Sequence, residues 1–245
     1  MRPTGERSMR LGVLPAAGKA DRWGGYPKEL LPISNIHTFL SRSVESLLKC
    51  GCDLVMVVTN PAKIHLHAYH LRAWDNVLFS IQRGDEMWAA MTTSLDTPAD
   101  EYFFMMPDTF LPDRPFPPSM EKDFGIGVFL TEQPERFGVL RGSEIVNKQP
   151  STSPGLAWGV LAWKKAVADH WRTNSYSDYT SAINGAIRRY SLAQWHLDYY
   201  YDIGSMEHYA EFLLNQHAVK NELDLDLPLV EAFGQARRGL HRDTA

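Results

Sequence analysis

The apolar residues of this chain are concentrated in short runs that have the composition of β-strands. They cover residues 11–14, 54–58, 77–81, 102–106, 126–130, 156–162 and 195–201. Most of these runs are continuous and do not alternate with polar residues, which is the pattern of strands buried on both faces of a sheet. The sequence therefore predicts a sheet with a hydrophobic core on either side.

Segments with helical spacing of apolar residues lie between the first four strands, over 39–48, 64–74 and 87–95. Strands that alternate with helices predict βαβ units with right-handed crossovers. We expect an α/β fold of Rossmann-like, three-layer type with a mostly parallel mixed sheet, in which ligands bind at the carboxyl ends of the strands. Two more helices are predicted, one beginning near Ser205 and one over 227–240.

The composition is that of an ordinary globular protein. The chain has 245 residues, of which 44% are apolar and 22% charged, and its formal charge is −4. At ~150 residues per domain we expect one domain, with a core over about 9–215 and a C-terminal extension over 216–245. The charge argues against a nucleic-acid partner, because phosphate-backbone binding relies on positive charge.

A cytoplasmic location without a membrane partner is expected. The sequence shows no apolar stretch approaching the ~20 residues of a membrane span, and its polar start MRPTGERSMR is not followed by an apolar signal segment. Cys50 and Cys52 are only two residues apart, which suits neither a disulfide framework nor a four-ligand zinc site. We expect both cysteines to be reduced and structural.

The stretch LGVLPAAGKADRWGGYPKELLPI carries the most chemical information in the chain. A short apolar strand leads into Ala16, Ala17 and Gly18, whose small side chains let backbone N–H groups approach phosphate oxygens. Arg22 and Lys28 would add the positive charge that a polyphosphate needs. The loop matches neither the G-x-G-x-x-G nor the Walker pattern. It predicts a polyphosphate cradle, and the alternative is a surface turn with solvated cations.

Two aspartates follow predicted strands. Asp108 comes after the run YFFMMP, and Asp202 comes after WHLDYYY. Carboxylates held at strand ends could bind Mg²⁺, which prefers carboxylate oxygens and keeps some of its waters. The alternative for each residue is a helix cap or a turn former.

The motif HLHAYH places His67 and His70 one helical turn apart. Such a pair could begin a metal site, but no carboxylate or cysteine lies close by in sequence. A histidine-rich, exposed helix face is the preferred interpretation.

The loop after the first strand resembles the signature of nucleotidylyltransferases that make nucleotide sugars, L-A-A-G-x-G-T-R followed by P-K-x-L-L-P. The matching residues are Pro15, Ala16, Ala17, Gly18, Arg22, Pro27, Lys28, Glu29, Leu31, Pro32 and Ile33. Ala20 stands where that family has its second glycine, and Asp21 replaces Thr or Ser. The spacing from Arg22 to Lys28 is short, which is similar to the cytidylyltransferases of isoprenoid synthesis.

The resemblance implies roles for further residues. MMPDTF and YYYDIGSMEHY are similar to the family segments whose aspartates hold the catalytic metal, so Asp108 and Asp202 become the implied Mg²⁺ ligands, with Pro107 where glycine is usual. Gln82 and Gly84 lie in a compressed version of the segment that contacts the nucleotide base.

The acceptor side is implied by RFGVLRGSEIVNKQP, which resembles the Y-G-V segment leading to V-E-K-P. Gly138 belongs to the first part, and Lys148 falls on the lysine that grips the sugar phosphate, with Asn147 in place of glutamate. Gly159 matches a glycine beside the sugar.

The implied fold is of the nucleotide-diphospho-sugar transferase type, and the implied reaction is transfer of a nucleotidyl group from a nucleoside triphosphate, with UTP or dTTP favoured, to a sugar 1-phosphate. Homo-oligomers are implied by analogy alone. Two alternatives stay open. One is a cytidylyltransferase acting on a polyol phosphate or phosphocholine. The other is a weakened homologue that binds a nucleotide or sugar nucleotide as a regulator.

Overall fold

The computed structural model describes residues 8–150 and 153–219. The strands of this part are β1 (Arg10–Pro15), β2 (Leu54–Thr59), β3 (Val77–Ile81), β4 (Glu101–Met105), β5 (Thr109–Phe110), β6 (Phe124–Thr131), β7 (Gly138–Arg141), β8 (Glu144–Asn147), β9 (Gly155–Lys164), β10 (Leu192–His196) and β11 (Tyr201–Asp202). The helices are α1 (Phe39–Lys49), α2 (Ile64–His70), α3 (Met87–Ser94), α4 (Lys165–Thr173), α5 (Tyr179–Arg189) and α6 (Met206–Val219). One-turn 3-10 helices lie at Asp21–Trp23, Lys28–Leu30 and Pro134–Arg136.

The main sheet has the strand order β10-β6-β9-β4-β1-β2-β3. β1 is parallel to β2 and β4, β2 is parallel to β3, and β6 is parallel to β10. β9 runs antiparallel between β4 and β6, and the hairpin of β7 and β8 attaches to β9. The predicted α/β fold with a mostly parallel mixed sheet is therefore confirmed.

Two hydrophobic clusters lie on opposite faces of this sheet. In β2, Val55 and Val57 belong to one cluster, and Met56 and Val58 belong to the other. α1 covers the first face, whereas α3, α4 and α5 contribute to the second. Because successive side chains of a strand point to opposite faces, a strand between two layers must be apolar at every position. This is why the runs in the sequence are continuous.

The predicted strand over 195–201 is wrong in its bounds. β10 ends at His196, and the chain then leaves the main sheet before residues 201 and 202 form β11, which pairs antiparallel with β5. In this two-stranded ribbon Asp202 lies opposite Thr109, and the Ile203 N–H donates to the Asp108 carbonyl oxygen at 3.1 Å. The ribbon therefore brings the segments of the two predicted metal ligands together.

The predicted helix near Ser205 is confirmed as α6. The N–H of His208 donates to Ser205 Oγ at 3.4 Å, as at a helix N-cap. The predicted helix over 227–240 lies outside the described residues, as does the extension from residue 220 onward.

Cys50 and Cys52 are buried free thiols, as expected. Burial raises the pKa of both thiols, so they are held in the unreactive protonated form. Within the described ranges, no helix combines the length and the apolar character that crossing a membrane requires.

Candidate active site

Two adjoining cavities lie at the carboxyl ends of β1 and β4. The first cavity has a volume of about 350 Å³ and is bounded by the loop after β1 and the segment after β4. The second cavity has a volume of about 360 Å³ and extends toward β7, the end of β8 and the start of α6. Lys28, Met106, Asp108 and Gly204 line both cavities. Ligands in the two cavities would therefore meet at this shared wall.

The backbone of the loop after β1 is held by β2 and the loop that follows it. The Ala16 N–H donates to the Val58 carbonyl oxygen at 2.7 Å, so this group is not available to a phosphate, which corrects the expectation for it. Asn60 Nδ2 donates to the Ala17 carbonyl oxygen at 2.7 Å. In a trans peptide the N–H points away from the preceding C=O. The N–H of Gly18 therefore points away from the Asn60 side chain. Gly18 is one of the residues that line the first cavity.

The loop turns back through Ala20, which has a left-handed backbone conformation with φ 57°. The Ala20 carbonyl oxygen accepts a hydrogen bond from the Trp23 N–H at 2.8 Å. An L-residue with a Cβ atom pays about 1–2 kcal/mol in this region, which glycine avoids. Asp21 follows and lines the first cavity together with Ala20. Arg22 is part of this turn, but its side chain lies outside the described part of the structure.

Lys28 and Asp108 form an ion pair on the shared wall. Asp108 is only 4% exposed, and among the described residues its Oδ1 atom has no hydrogen-bond partner. Burial raises the pKa of Asp108, although the charge of Lys28 opposes the change. Burial also disfavours the charged form of Lys28, but the attraction of Asp108 outweighs it, and the pKa of Lys28 is raised. Lys28 therefore carries a firmly held positive charge.

Asp202, the second predicted metal ligand, is held by an arginine that the sequence analysis missed. Arg136 Nη2 donates to Asp202 Oδ2 at 2.8 Å and also contacts His208 Nδ1 at 3.2 Å. Gln133 Oε1 accepts from Arg136 Nη1 at 2.8 Å. The only signal for Arg136 in the sequence is its place two residues before Gly138. It lines the second cavity with Asp202 and adds a cation there.

Gly138 and Gly159, the two glycines predicted to lie beside the acceptor, leave room for aromatic rings. A Cβ atom on Gly138 would lie 2.5 Å from Trp158 Nε1, and one on Gly159 would lie 2.8 Å from the Tyr200 ring. Gly138, Trp158 and Tyr200 line the second cavity, whereas Gly159 does not. Tyr200 stacks on Phe129 with the ring centroids 4.0 Å apart. Gly159 therefore leaves room for a ring that forms the wall, and direct contact of Gly159 with a ligand stays a prediction.

Lys148 lines the second cavity, and its contact with an acceptor phosphate stays a prediction. Its φ is 48°, in the left-handed region, and its N–H donates to the Phe137 carbonyl oxygen at 2.9 Å. The neighbouring Asn147 accepts a hydrogen bond from the Tyr179 hydroxyl at 2.9 Å. Asn147, which replaces the glutamate of the resembled family, thus fixes an aromatic side chain of the cavity wall.

Gln82 and Gly84 lie at the carboxyl end of β3 and line neither cavity. Gln82 Nε2 donates to the Gly84 carbonyl oxygen at 2.7 Å, which folds the loop upon itself. An exposed ion pair between Lys19 and Asp85, at 3.1 Å, joins this loop to the loop after β1. Gln82 and Gly84 thus lie in a loop that is joined to the loop after β1, and their contact with the base stays a prediction.

The interpretation of HLHAYH as an exposed face is wrong for His67. His67 is fully buried, and its Nε2 atom lies 2.9 Å from Glu29 Oε1. This partner is 38 residues away in sequence, so the local pattern could not reveal it. Within the part of the chain that the structure describes, no three His, Cys, Asp or Glu side chains cluster as a metal site.

The described side chains that line the two cavities differ in charge. Around the first cavity two cations, Lys28 and Lys63, face three carboxylates, Asp21, Glu29 and Asp108. Around the second cavity three cations, Lys28, Arg136 and Lys148, face two carboxylates, Asp108 and Asp202. The second cavity is thus the more positive of the two.

Comparison with known proteins gives a family match and structural neighbours. Residues 12–120 match the model of the MobA-like NTP transferase domain. A search of curated proteins by sequence finds no match. Among solved structures, one assigned as a glucose-1-phosphate thymidylyltransferase from Bacillus anthracis, in complex with sucrose, is 18% identical with a TM-score of 0.72, covering 82% of this chain and 93% of its own.

Two further neighbours have the same architecture. The inositol-1-phosphate CTP transferase from T. maritima is 16% identical with a TM-score of 0.65, covering 83% of this chain and 92% of its own. A UDP-glucose pyrophosphorylase complexed with UDP-glucose is 18% identical with a TM-score of 0.67, covering 88% of this chain and 100% of its own. Identities this low show the fold alone. The resemblance to nucleotidylyltransferases is nevertheless confirmed, because residues 12–120 match the model of the MobA-like NTP transferase domain and the chain shares its fold with these enzymes.

Proposed function

We propose that the protein transfers a nucleotidyl group from a nucleoside triphosphate, UTP or dTTP, to a sugar 1-phosphate, releasing a nucleotide sugar and pyrophosphate. Nucleotidyl transfer itself is supported by the family match. The observation that carries the finer proposal is the pair of cavities that share the Lys28–Asp108 ion pair. A triphosphate in the first cavity and an acceptor phosphate in the second would meet at this wall.

The charges support this assignment of the cavities. A sugar phosphate is a dianion that must be bound by cations of the protein, and the second cavity offers Lys148 and Arg136 in addition to Lys28. The described side chains of the first cavity carry more negative than positive charge, so a triphosphate there needs further cations. Mg²⁺ is the usual companion of such a ligand.

The residues present fit a magnesium ion. Asp108 offers a buried Oδ1 atom that has no hydrogen-bond partner among the described residues, and β11 sets Asp202 beside the segment of Asp108. Mg²⁺ is commonly held by one or two carboxylates together with waters and substrate phosphates. We assign Asp108 and Asp202 as its protein ligands. When bound, the ion would neutralise phosphate charge and align the reacting groups.

The remaining chemistry is positioning and electrostatics. An oxygen of the acceptor phosphate forms a bond to the α-phosphorus while the bond from the α-phosphorus to the bridging oxygen breaks, and pyrophosphate leaves with that electron pair. Lys28 stabilises the charge that develops at the α-phosphate, and Lys148 holds the acceptor. Because the acceptor phosphate is already ionised, no general base is required.

A cytidylyltransferase acting on a polyol phosphate is the second candidate. It is favoured by the short spacing between Arg22 and Lys28 and by the likeness in fold to the inositol-1-phosphate CTP transferase.

We also propose that both halves of the described chain act as one domain in the cytoplasm. Each cavity draws residues from both halves, and buried free thiols suit a reducing compartment.

Pyrophosphate release tests the proposal. The protein is incubated with Mg²⁺ and each of UTP, dTTP, CTP, GTP and ATP, in combination with sugar 1-phosphates, polyol phosphates and phosphocholine. Release with UTP or dTTP and one sugar 1-phosphate is expected. Release only with CTP and a polyol phosphate or phosphocholine supports the second candidate. Thermal stabilisation by nucleotides without any release overturns the proposal in favour of a regulatory binder.

A further inference from the structure

Three buried charged or polar side chains meet behind the first cavity. Glu29 is 3% exposed, Lys63 is 5% exposed and His67 is fully buried. Lys63 Nζ donates to Glu29 Oε1 at 3.0 Å, and His67 Nε2 lies 2.9 Å from the same oxygen. The second ring nitrogen of His67 lies 2.8 Å from Thr59 Oγ1. Since an ionised carboxylate only accepts hydrogen bonds, His67 donates to Glu29 through Nε2.

This cluster joins two segments that line the first cavity, the turn Lys28–Leu30 and the loop after β1. Glu29 follows Lys28 in the turn Lys28–Leu30, and the two side chains have different partners: Lys28 pairs with Asp108, whereas Glu29 enters the cluster. Fixing Glu29 therefore fixes the backbone from which Lys28 reaches the shared wall. Lys63 and Glu29 also line the first cavity themselves.

Lys63 reaches the loop after β1 as well. Its ammonium group lies 3.5 Å from the Ala16 carbonyl oxygen, and its own N–H donates to Asn60 Oδ1 at 3.1 Å. A carbonyl that faces Lys63 directs the N–H of the following residue, Ala17, the opposite way, because the peptide is planar and trans. Lys63 and Asn60 thus orient two consecutive peptide groups, and no hydrogen bond is seen for the N–H of Ala17 or Gly18 within the described residues.

We propose that Lys63 is a positioning residue for the nucleotide triphosphate. Held by Glu29 and His67, its ammonium group fixes the loop after β1 against the turn that carries Lys28. The N–H groups of Ala17 and Gly18 and the Lys28 ammonium group are thereby held in one geometry around the first cavity, which Gly18 and Lys28 line. The proposal rests on the proposed function only in taking the first cavity as the nucleotide site.

The energetics of burial favour this role over packing alone. Removing a lysine and a glutamate from water is costly, and a buried ion pair is often no more stabilising than apolar residues of the same volume. The Lys63 ammonium group makes directional contacts with the Glu29 carboxylate and the Ala16 carbonyl oxygen, which an apolar side chain cannot make. Because Lys63 lies on the wall of the first cavity, these contacts can affect a ligand there.

The test measures nucleotide affinity by calorimetry with UTP, dTTP, CTP, GTP and ATP in the presence of Mg²⁺. The decisive variant combines Lys63→Met with Glu29→Gln, since it removes one positive and one negative charge and leaves the net charge of the cavity unchanged. We expect the affinity for the preferred nucleotide to fall by about tenfold or more, and the affinity for glucose 1-phosphate or the active acceptor to stay within about twofold. Lys63→Arg should recover most of the nucleotide affinity.

A matched pair on α2 separates the cluster from the helix. His67→Gln should weaken nucleotide binding by about threefold or more, because it replaces the bond to Glu29 with a weaker one. His65→Gln makes the same change at an exposed position of that helix and should have no effect. Thermal unfolding of each variant shows that the measured protein is folded. If the double variant does not fold, Lys63→Met alone is compared with Lys63→Arg in the same titrations.

The proposal is overturned if folded variants that carry Lys63→Met bind the nucleotide as the wild type does, whatever happens to their stability. It is also overturned if affinity for nucleotide and acceptor falls equally, or if no nucleotide binds the wild type. Failure of the proposed function looks different: the wild type binds a nucleotide but releases no pyrophosphate with any acceptor. In that case the titrations still decide the role of Lys63.

Discussion

The two cavities share a wall but are built in different ways. The first is formed by backbone of the loop after β1 and by described side chains that carry more negative than positive charge. The second is lined by side chains such as Trp158 of β9 and Tyr179 of α5, and Lys148 gives it a surplus of positive charge beyond the pairs Lys28–Asp108 and Arg136–Asp202. The difference supports our proposal that the first site relies on a cation that arrives with its ligand, whereas the second binds an anion with the cations of the protein.

The strongest test of this contrast is Asp202→Asn. It removes one of the two carboxylates assigned to Mg²⁺ while keeping the size of the side chain. We expect the rate of pyrophosphate release to fall by about three orders of magnitude, because charge neutralisation by the metal contributes several kcal/mol to such reactions. Steady-state kinetics at saturating Mg²⁺ measures the loss.

Asp198→Asn is the control for this variant. Asp198 lies four residues earlier, is exposed and lines neither cavity. Its substitution should leave turnover unchanged. Near-normal turnover of Asp202→Asn would remove Asp202 from the metal site and with it the explanation of the charge in the first cavity.

The second test compares Lys148→Met with Arg136→Met. Both variants remove a cation from the second cavity, so KM for the acceptor should rise by about 10- to 100-fold while nucleotide affinity stays the same. Arg136→Met should also lower kcat, because Arg136 orients the Asp202 carboxylate at 2.8 Å. Steady-state kinetics with each substrate varied in turn separates the two effects.

Arg141→Met serves as the matched control on β7. Arg141 is exposed and does not line the second cavity, so neither KM nor kcat should change. If Lys148→Met raised KM for the nucleotide instead, the assignment of the two cavities would have to be exchanged.

Much of the fold around the first cavity could be predicted from sequence. The run over 77–81 is observed with those bounds as β3, and the runs over 11–14 and 54–58 differ from β1 and β2 by a single residue at one or both ends. Double-sided burial produces continuous apolar runs, and these are easy to recognise. The run over 195–201 misled because its aromatic residues pack outside the main sheet, where Tyr199 stacks on Phe110.

The site was less predictable wherever partners are distant in sequence. Lys28, Lys148 and the two aspartates could be placed by their resemblance to motifs. Arg136 and Asp202 are 66 residues apart, so nothing in the local sequence of either one indicates their ion pair. The same holds for Glu29, whose partners Lys63 and His67 are 34 and 38 residues away in sequence. Only the folded chain reveals which charges are neutralised within the protein.

Glu29, a buried carboxylate of the first cavity, also predicts a pH dependence of stability. Burial alone would raise the pKa of Glu29, but the hydrogen bond from His67 and the charge of Lys63 outweigh it, and the pKa lies below its ordinary 4.5. The unfolded state then binds more protons in this range, so the stabilisation is complete above the ordinary pKa and lost as pH falls through the lowered one. Each unit of lowering is worth about 1.4 kcal/mol.

Urea unfolding of wild type and Glu29→Gln from near-neutral to acidic pH measures this contribution. The difference in unfolding free energy between the two proteins should shrink as the pH falls. Glu144→Gln, a change at an exposed glutamate of β8, should leave the pH dependence as it is in the wild type. A difference between wild type and Glu29→Gln that is constant with pH would contradict the assignment of the charge to Glu29.

The smallest expected effect concerns a feature that the two cavities share. Among the described residues, Ala20 and Lys148 are the only non-glycine residues with positive φ, and one lines each cavity. Ala20→Gly should relieve about 1–2 kcal/mol of left-handed strain, of which the greater entropy of glycine in the unfolded chain cancels part, leaving a gain of about 0.5–1 kcal/mol. Urea unfolding measures the gain.

Ala62→Gly is the opposite control for Ala20→Gly, since Ala62 lies in a turn without positive φ, and the same substitution there should destabilise by about 0.5–1 kcal/mol. Nucleotide affinity of Ala20→Gly should match that of the wild type, because the substitution keeps the backbone conformation in which the Ala20 carbonyl accepts from Trp23. A gain in stability with a loss of affinity would mean that the strained alanine itself shapes the first cavity. If the substitution leaves stability unchanged, the turn relaxes around Ala20 at little cost. The contrast between the cavities would then rest on their charges alone.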